Sequence, residues 1–203
     1  MSSPFLPFLD AERARYREGA VKGIQDLLRY LGEDPEREGL RDTPERVLRA
    51  WERDWGAGYK SSASDPVTTF ADGGSRYTQM ITQRGIPVWS HCEHHLAPFF
   101  GTASVAYIPN ASDQRIVGLS KVSRVIQRFS ARLQVQERLT TQIADALQNL
   151  LLPEGLGVLL QCRHTCMESR GILQSGIVTT TTALRGSFLE DPSVREEFLR
   201  SAT

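Results

Sequence analysis

No stretch of this 203-residue sequence approaches the roughly 20 consecutive apolar residues of a membrane span. The start, MSSPFLPFLDAERARYREG, lacks the apolar core of a secretory signal, so a cytoplasmic protein with no membrane partner is expected. Excess charge of either sign is also missing. Lys plus Arg and Asp plus Glu both number 24, so nothing global draws the chain to nucleic acid, and any anion site must be a local cluster. Internal repeats and low-complexity tracts are absent, which excludes solenoids and fibrous folds. Cysteine and histidine are scarce, with three and four copies. An odd cysteine count in a reducing compartment argues against a disulfide framework and for metal binding, catalysis or burial.

What is present is an ordinary globular composition, 40% hydrophobic and 24% charged. Val21, Ile24, Leu27, Leu28 and Leu31 recur at helical spacing before Gly32. Thr43 and Pro44 read as the cap and first residue of a second helix carrying Val47, Leu48, Trp51 and Trp55. The Ser/Asp/Gly-rich stretch from Gly58 to Gly74 reads as a connector. An N-terminal helical arm and connector, residues 1–75, is therefore expected to precede an α+β domain, residues 76–203. In that domain the strand-like runs are Tyr77–Gln83, Ile86–Ser90, Phe99–Ile108 and Arg115–Leu119. Two helices follow, marked by Val122 to Leu133 and by Val135 to Leu150. Two β-rich runs, Gly157–Thr165 and Ile177–Leu184, come next, and the helix DPSVREEFLR closes the chain.

The few cysteines and histidines fall in just two places, WSHCEHHLAPF at 89–99 and QCRHTC at 161–166. Cys92 and His95 have the C-x-x-H spacing that a tight turn folds around one zinc ion. His164 and Cys166 lie two apart, so on an extended strand they share a face, about 6.8 Å from each other. Two thiolates and one imidazole leave the fourth zinc position to water, as in catalytic sites. Cys162 lies on the same alternating face and keeps two other readings open: a closed structural zinc, or no metal with buried thiols and satisfied histidines.

Ser120 reads as the N-cap of a helix on which Lys121, Arg124, Arg128 and Arg132 form a basic stripe. Such a stripe near a helix start suits phosphate, although it also suits a solvated face. Gln136 and Glu137 follow at the next helix start. Glu137 is either a carboxylate for a base edge or an acid that favours the helix dipole.

Taken together, GEDPEREGLRDTPERV, CEHHLAPF, GLSKVSR, LQVQERLT, H-T-C, SRG and REEFL, in this order, resemble the GTP cyclohydrolase I family. The resemblance spans nearly everything after Gly19. It implies conversion of GTP and water to formate and 7,8-dihydroneopterin triphosphate, through opening of the guanine imidazole ring by water activated on zinc. It implies Cys92, His95 and Cys166 as zinc ligands, with Cys162 outside the shell, and His94, His164 and Ser120 as catalytic residues. It further implies Gln136 and Glu137 at the guanine and Lys121, Arg124, Arg170, Arg46 and Arg49 at the triphosphate. The implied fold is a four-stranded antiparallel sheet with two helices on one face, of the tunnelling-fold type, assembled as a homodecamer (a pentamer of dimers) with shared active sites. His91, where small polar residues or methionine are common, and Cys162, usually a small residue, depart from the family pattern. Two alternatives stay open: a relative that stops at a ring-opened intermediate, and a zinc-stabilised GTP-binding protein without turnover.

Overall fold

A computed structural model describes residues 10–60, 69–70, 77–112 and 115–202. The chain divides into two compact units, Met1–Tyr59 and Lys60–Thr203. The boundary expected at residues 75 and 76, and most of the expected connector, lie outside the described residues.

In the first unit, α1 (Asp10–Tyr30) ends where Gly32 takes a left-handed φ of 88°, a conformation that costs glycine little. Helix α2 (Thr43–Ala50) starts one residue earlier than the proline signal suggests. Asp42 is the N-cap, and its carboxylate pairs with Arg46 at 2.9 Å rather than capping the helix. The helix runs on into a π-helical turn, Trp51–Trp55, whose two tryptophan rings meet edge to face at 5.5 Å. Arg17 joins α1 to this segment through Glu45 at 2.7 Å and Glu52 at 3.2 Å.

In the second unit, the short strands β1 (Thr69–Phe70) and β4 (Ile116–Val117) pair with each other. The main sheet comprises β2 (Ile81–Cys92), β3 (Pro98–Ile108), β5 (Leu133–Gln134), β6 (Gly155–His164) and β7 (Thr179–Gly186), in the order β5-β2-β3-β6-β7. The expected antiparallel four are β2, β3, β6 and β7. The fifth, β5, has two residues, too few for a periodic signal, and runs parallel to β2 with His91 opposite Leu133. Of the two runs expected as separate strands, Tyr77–Gln83 and Ile86–Ser90, Tyr77–Met80 lie outside any strand, while Ile81–Gln83 and Ile86–Ser90 join in one. The register slips between Gln83 and Ile86 at Gly85, whose φ of 70° makes a bulge rather than a turn.

Helices α3 (Leu119–Ser130) and α4 (Gln136–Leu151) bury one face each. Val122, Val125, Ile126, Leu139, Ile143 and Leu147 pack on Val88, Val105, Val158 and Leu160 in one core. The alternate residues Ala106 and Leu159 point to the opposite face, where Phe188 and Phe198 form a second core. These aromatics come from the short helix α6 (Ser187–Glu190) and the terminal helix α7 (Pro192–Ala202). A four-residue helix, α5 (Thr165–Glu168), follows β6 directly. The architecture is α+β, a five-stranded mixed sheet with helices.

Candidate active site

Cys92 is the last residue of β2, and the chain turns at once. Cys92 N–H donates to Ala97 O at 2.8 Å, Leu96 N–H to Cys92 O at 2.9 Å and His95 N–H to Cys92 O at 3.3 Å. Leu96 takes a φ of 54° to close the turn. Glu93 N–H donates to Gln134 O on β5, and the Glu93 carboxylate is held by Arg138 of α4. That guanidinium bond keeps the Glu93 carboxyl below the usual carboxylate range. The turn is thus tied at its root to the sheet and on its flank to a helix.

The third donor, the Cys166 sulfur, arrives just past the end of β6. His164 sits opposite Phe99 and stacks on its buried ring at 4.7 Å, so β6 ends level with the Cys92 turn. The alternation argument for Cys166 fails here, because the strand stops at His164 and Cys166 stands on α5. A helical turn rather than a shared strand face brings it to the site. Among the described residues, Cys92, His95 and Cys166 form the one group of three donors whose atoms all lie within 4.8 Å of one another.

The donor set fits a zinc ion. Bonds of about 2.0 and 2.3 Å at a tetrahedral angle put nitrogen and sulfur about 3.6 Å apart. Cys92 Sγ and His95 Nδ1 are 3.6 Å apart. Cys166 is half-buried, and burial followed by the neighbouring Cys92 raises its thiol above the usual range, a cost that a cation reverses. Cys162 lies outside the group. It is fully buried in the apolar core, and burial pushes its thiol up to about 12.

Three further groups border the donors. His94 is exposed, with Nδ1 3.8 Å from Cys92 Sγ and Nε2 4.0 Å from Glu93. Burial holds His164 below the usual histidine range, against the opposing charges of Glu137 and Glu168. Glu137 is exposed on the first turn of α4 and near enough to act on His164, while Glu168 is engaged by Arg163 through two bonds at 2.7 and 2.8 Å. Arg170 is exposed and lowers the Cys166 thiol by its charge. Gln136, by contrast, is buried, and both ends of its amide are bonded within the protein.

Ser120, Lys121 and Arg124 are elsewhere. The start of α3 packs by Gln83, whose side-chain amide donates to Leu119 O at 3.3 Å. Cys92 closes that strand nine residues later, about 30 Å further along. One chain therefore does not bring the α3 start and the Cys/His cluster together. The helix cap is Gly118, so the Ser120 hydroxyl is an exposed group in the first turn rather than the cap expected from sequence. Arg132 falls beyond the end of α3 and lies over the Phe129 ring at 5.1 Å, which shortens the expected basic stripe. Arg46 and Arg49 stand on α2 of the first unit.

His91 escaped functional assignment from sequence, and the structure buries it at the β2–β5 pairing, where loss of solvent lowers its basicity. The Thr179 to Thr182 run looked like plain β propensity. Gln136 Nε2 instead donates to the Thr179 backbone carbonyl and the Thr181 hydroxyl, whereas the Thr180 and Thr182 side chains are exposed.

A Cys/His/Cys donor group flanked by two further histidines and a carboxylate, on an α+β sheet, defines a metal-dependent hydrolase type of site. The family model for GTP cyclohydrolase I matches residues 20–203. The chain is 55% identical over 185 residues to GTP cyclohydrolase 1 of Nitrosospira multiformis, covering 91% of this chain and 95% of that one. It is 52% identical to the protein of that name from Janthinobacterium sp. (strain Marseille), covering 87% of each. The Aquifex aeolicus protein of that name is 45% identical, covering 91% of this chain and 95% of its own. The chain belongs to the GTP cyclohydrolase I family.

Proposed function

We propose that the protein converts GTP and water to formate and 7,8-dihydroneopterin triphosphate, the entry to folate and related pterins. The observation that carries this reading is the convergence of Cys92, His95 and Cys166 beside His94, His164 and Glu137 in a chain that matches the family over residues 20–203. Cys92, His95 and Cys166 would hold zinc, which supplies Lewis acidity and lowers the pKa of water to about 7.

The other steps belong to side chains of the protein. Glu137, exposed at the α4 start, accepts hydrogen bonds from guanine N1–H and the exocyclic amine, with the helix N-terminus favouring its charge. His94 and His164 move the protons that ring opening and formamide hydrolysis require, because an imidazole exchanges protons readily near neutral pH. Lys121, Arg124 and Arg170 bind the triphosphate, with Arg46 and Arg49 as further cations. The Ser120 hydroxyl serves the opening of the ribose.

The separation of the α3 start from the Cys/His cluster supports a site completed by a second copy of the chain. One copy supplies Cys92, His94, Glu137 and His164, and another supplies Ser120, Lys121 and Arg124, which the homodecamer of the family arrangement provides. No described helix is long and apolar enough to cross a membrane. We place the enzyme in the cytoplasm, where GTP is available.

The test is to incubate purified protein with GTP and to assay formate together with the oxidised, fluorescent pterin. Both products in equal amounts are expected. Formate without pterin would indicate a relative that stops after ring opening, and GTP binding with neither product would indicate a binding protein.

A further inference from the structure

We propose that Gln136 is a positioning residue that fixes the proton of His164 on Nε2 and leaves Nδ1 as the nitrogen through which this histidine meets substrate. The inference rests on the reading of His164 as a proton-transfer group, but its geometry stands apart from that reading. Two bonding patterns decide it.

The first sets the direction of the Gln136 amide. Its Nε2 lies 3.3 Å from Leu160 O, 2.8 Å from Thr179 O and 3.1 Å from Thr181 Oγ1. Backbone carbonyls only accept, so the NH₂ end must point at them. The threonines agree. Thr140 Oγ1–H donates to Gln136 O at 2.7 Å, which commits its one proton. The 2.7 Å contact between Thr140 and Thr181 then requires Thr181 to be the donor, so Thr181 can only accept from Gln136. The two amide protons face three acceptors and no donor, and flipping the amide would set Oε1 against two carbonyl oxygens.

The second follows from the first. Gln136 Oε1 has no hydrogen to give, and it lies 2.8 Å from His164 Nε2. That nitrogen must carry the proton and donate it. The imidazole cannot turn away easily, since its ring is stacked on buried Phe99 with 13° between the planes. Among the described residues, Nδ1 makes no hydrogen bond. A neutral His164 held this way offers an acceptor at Nδ1 and only there. Gln136, Leu160, Thr179 and Thr181 come from α4, β6 and β7, so the tautomer is set by the fold rather than by one flexible neighbour. Gln136 thus acts on guanine chemistry through His164, and base reading falls to Glu137.

The test is magic-angle-spinning NMR of the holoenzyme labelled with ¹⁵N-histidine at pH 8, above the imidazole range. His164 signals are assigned by comparison with His164→Asn. The wild-type spectrum should show Nε2 protonated and Nδ1 bare. Gln136→Met keeps the length and apolar packing but removes the acceptor. It should give mixed or inverted tautomers and lower kcat about 100-fold, with KM for GTP changed less than about 3-fold. Nδ1 protonated in the wild type would overturn the proposal, and that result depends on no change at Gln136. An unchanged tautomer in Gln136→Met would also overturn it, as would a loss confined to KM, which would make Gln136 a direct guanine contact. If the wild type turned over no GTP, the proposed activity would fall while the spectra still decided the tautomer.

Discussion

Cys162→Ala separates an open metal site from a closed one. If Cys162 were a fourth ligand, and so a third thiolate, this change would damage metal binding as much as loss of Cys166. The structure places Cys162 differently, fully buried between Gly101 of β3 and Thr179 of β7, in the core with Val88, Phe99 and Leu160. Its thiol, pushed up to about 12 by burial, stays neutral and behaves as a small hydrophobe. Removing one sulfur from such a core costs about 1–2 kcal/mol through lost contacts and a small cavity. For a chain of this size that is a fall in Tm of about 2–8 °C. Cys162→Ser costs more, because a hydroxyl replaces the thiol among apolar neighbours. Zinc per chain, measured by mass spectrometry of dialysed protein, should equal the wild-type value in Cys162→Ala and fall steeply in Cys166→Ala. Scanning calorimetry supplies the Tm. Zinc lost from Cys162→Ala while its Tm held would rule out Cys162 as a core residue alone and point to a four-ligand structural site.

Glu137→Ala should reduce kcat/KM for GTP severely and narrow the gap between GTP and inosine triphosphate. The intact carboxylate should discriminate against ATP by roughly 10⁴-fold, and an unchanged order and spacing in the variant would move base reading elsewhere. Gly157→Ala should destabilise the second core, since a Cβ there would lie 2.8 Å from both the Phe188 and Phe198 rings. The cost is about 1–3 kcal/mol, visible as a lower urea midpoint and relieved by Phe188→Leu. His94→Ala should retain zinc and GTP binding while kcat falls about 100-fold or more, and wild-type turnover would remove His94 from the mechanism.

How far the sequence reveals the site depends on whether local pattern or chain geometry places each residue. C-x-x-H is local, so the Cys92–His95 turn is legible at once. Cys166 was reached by resemblance, while the strand-alternation argument for it fails, because nothing in QCRHTC signals that β6 ends at His164. Ser120 looks like a cap because it precedes a basic helix, but Gly118 begins the turn two residues earlier. The periodic helices α3 and α4 appear close to where apolar spacing puts them. Strand β5, with two residues, carries no periodicity to read. Gln136 is the sharpest case. A polar residue at a helix start reads as surface or substrate-binding, and only the packing of β6 and β7 beside it shows that three acceptors and a histidine surround it.

The GTP-hydrolysing site we propose is completed between chains, and mixed assembly tests that arrangement. Lys121→Ala and His94→Ala, each of low activity alone, are denatured together, refolded in equal amounts with zinc, and assayed for formate release from GTP. If Lys121 and His94 serve one site from different copies, random assembly rebuilds about one quarter of the sites with both residues intact, and about one quarter of wild-type activity returns. A mixture no more active than the two variants assayed separately would contradict a shared site, and would mean that one chain supplies both residues to its own site.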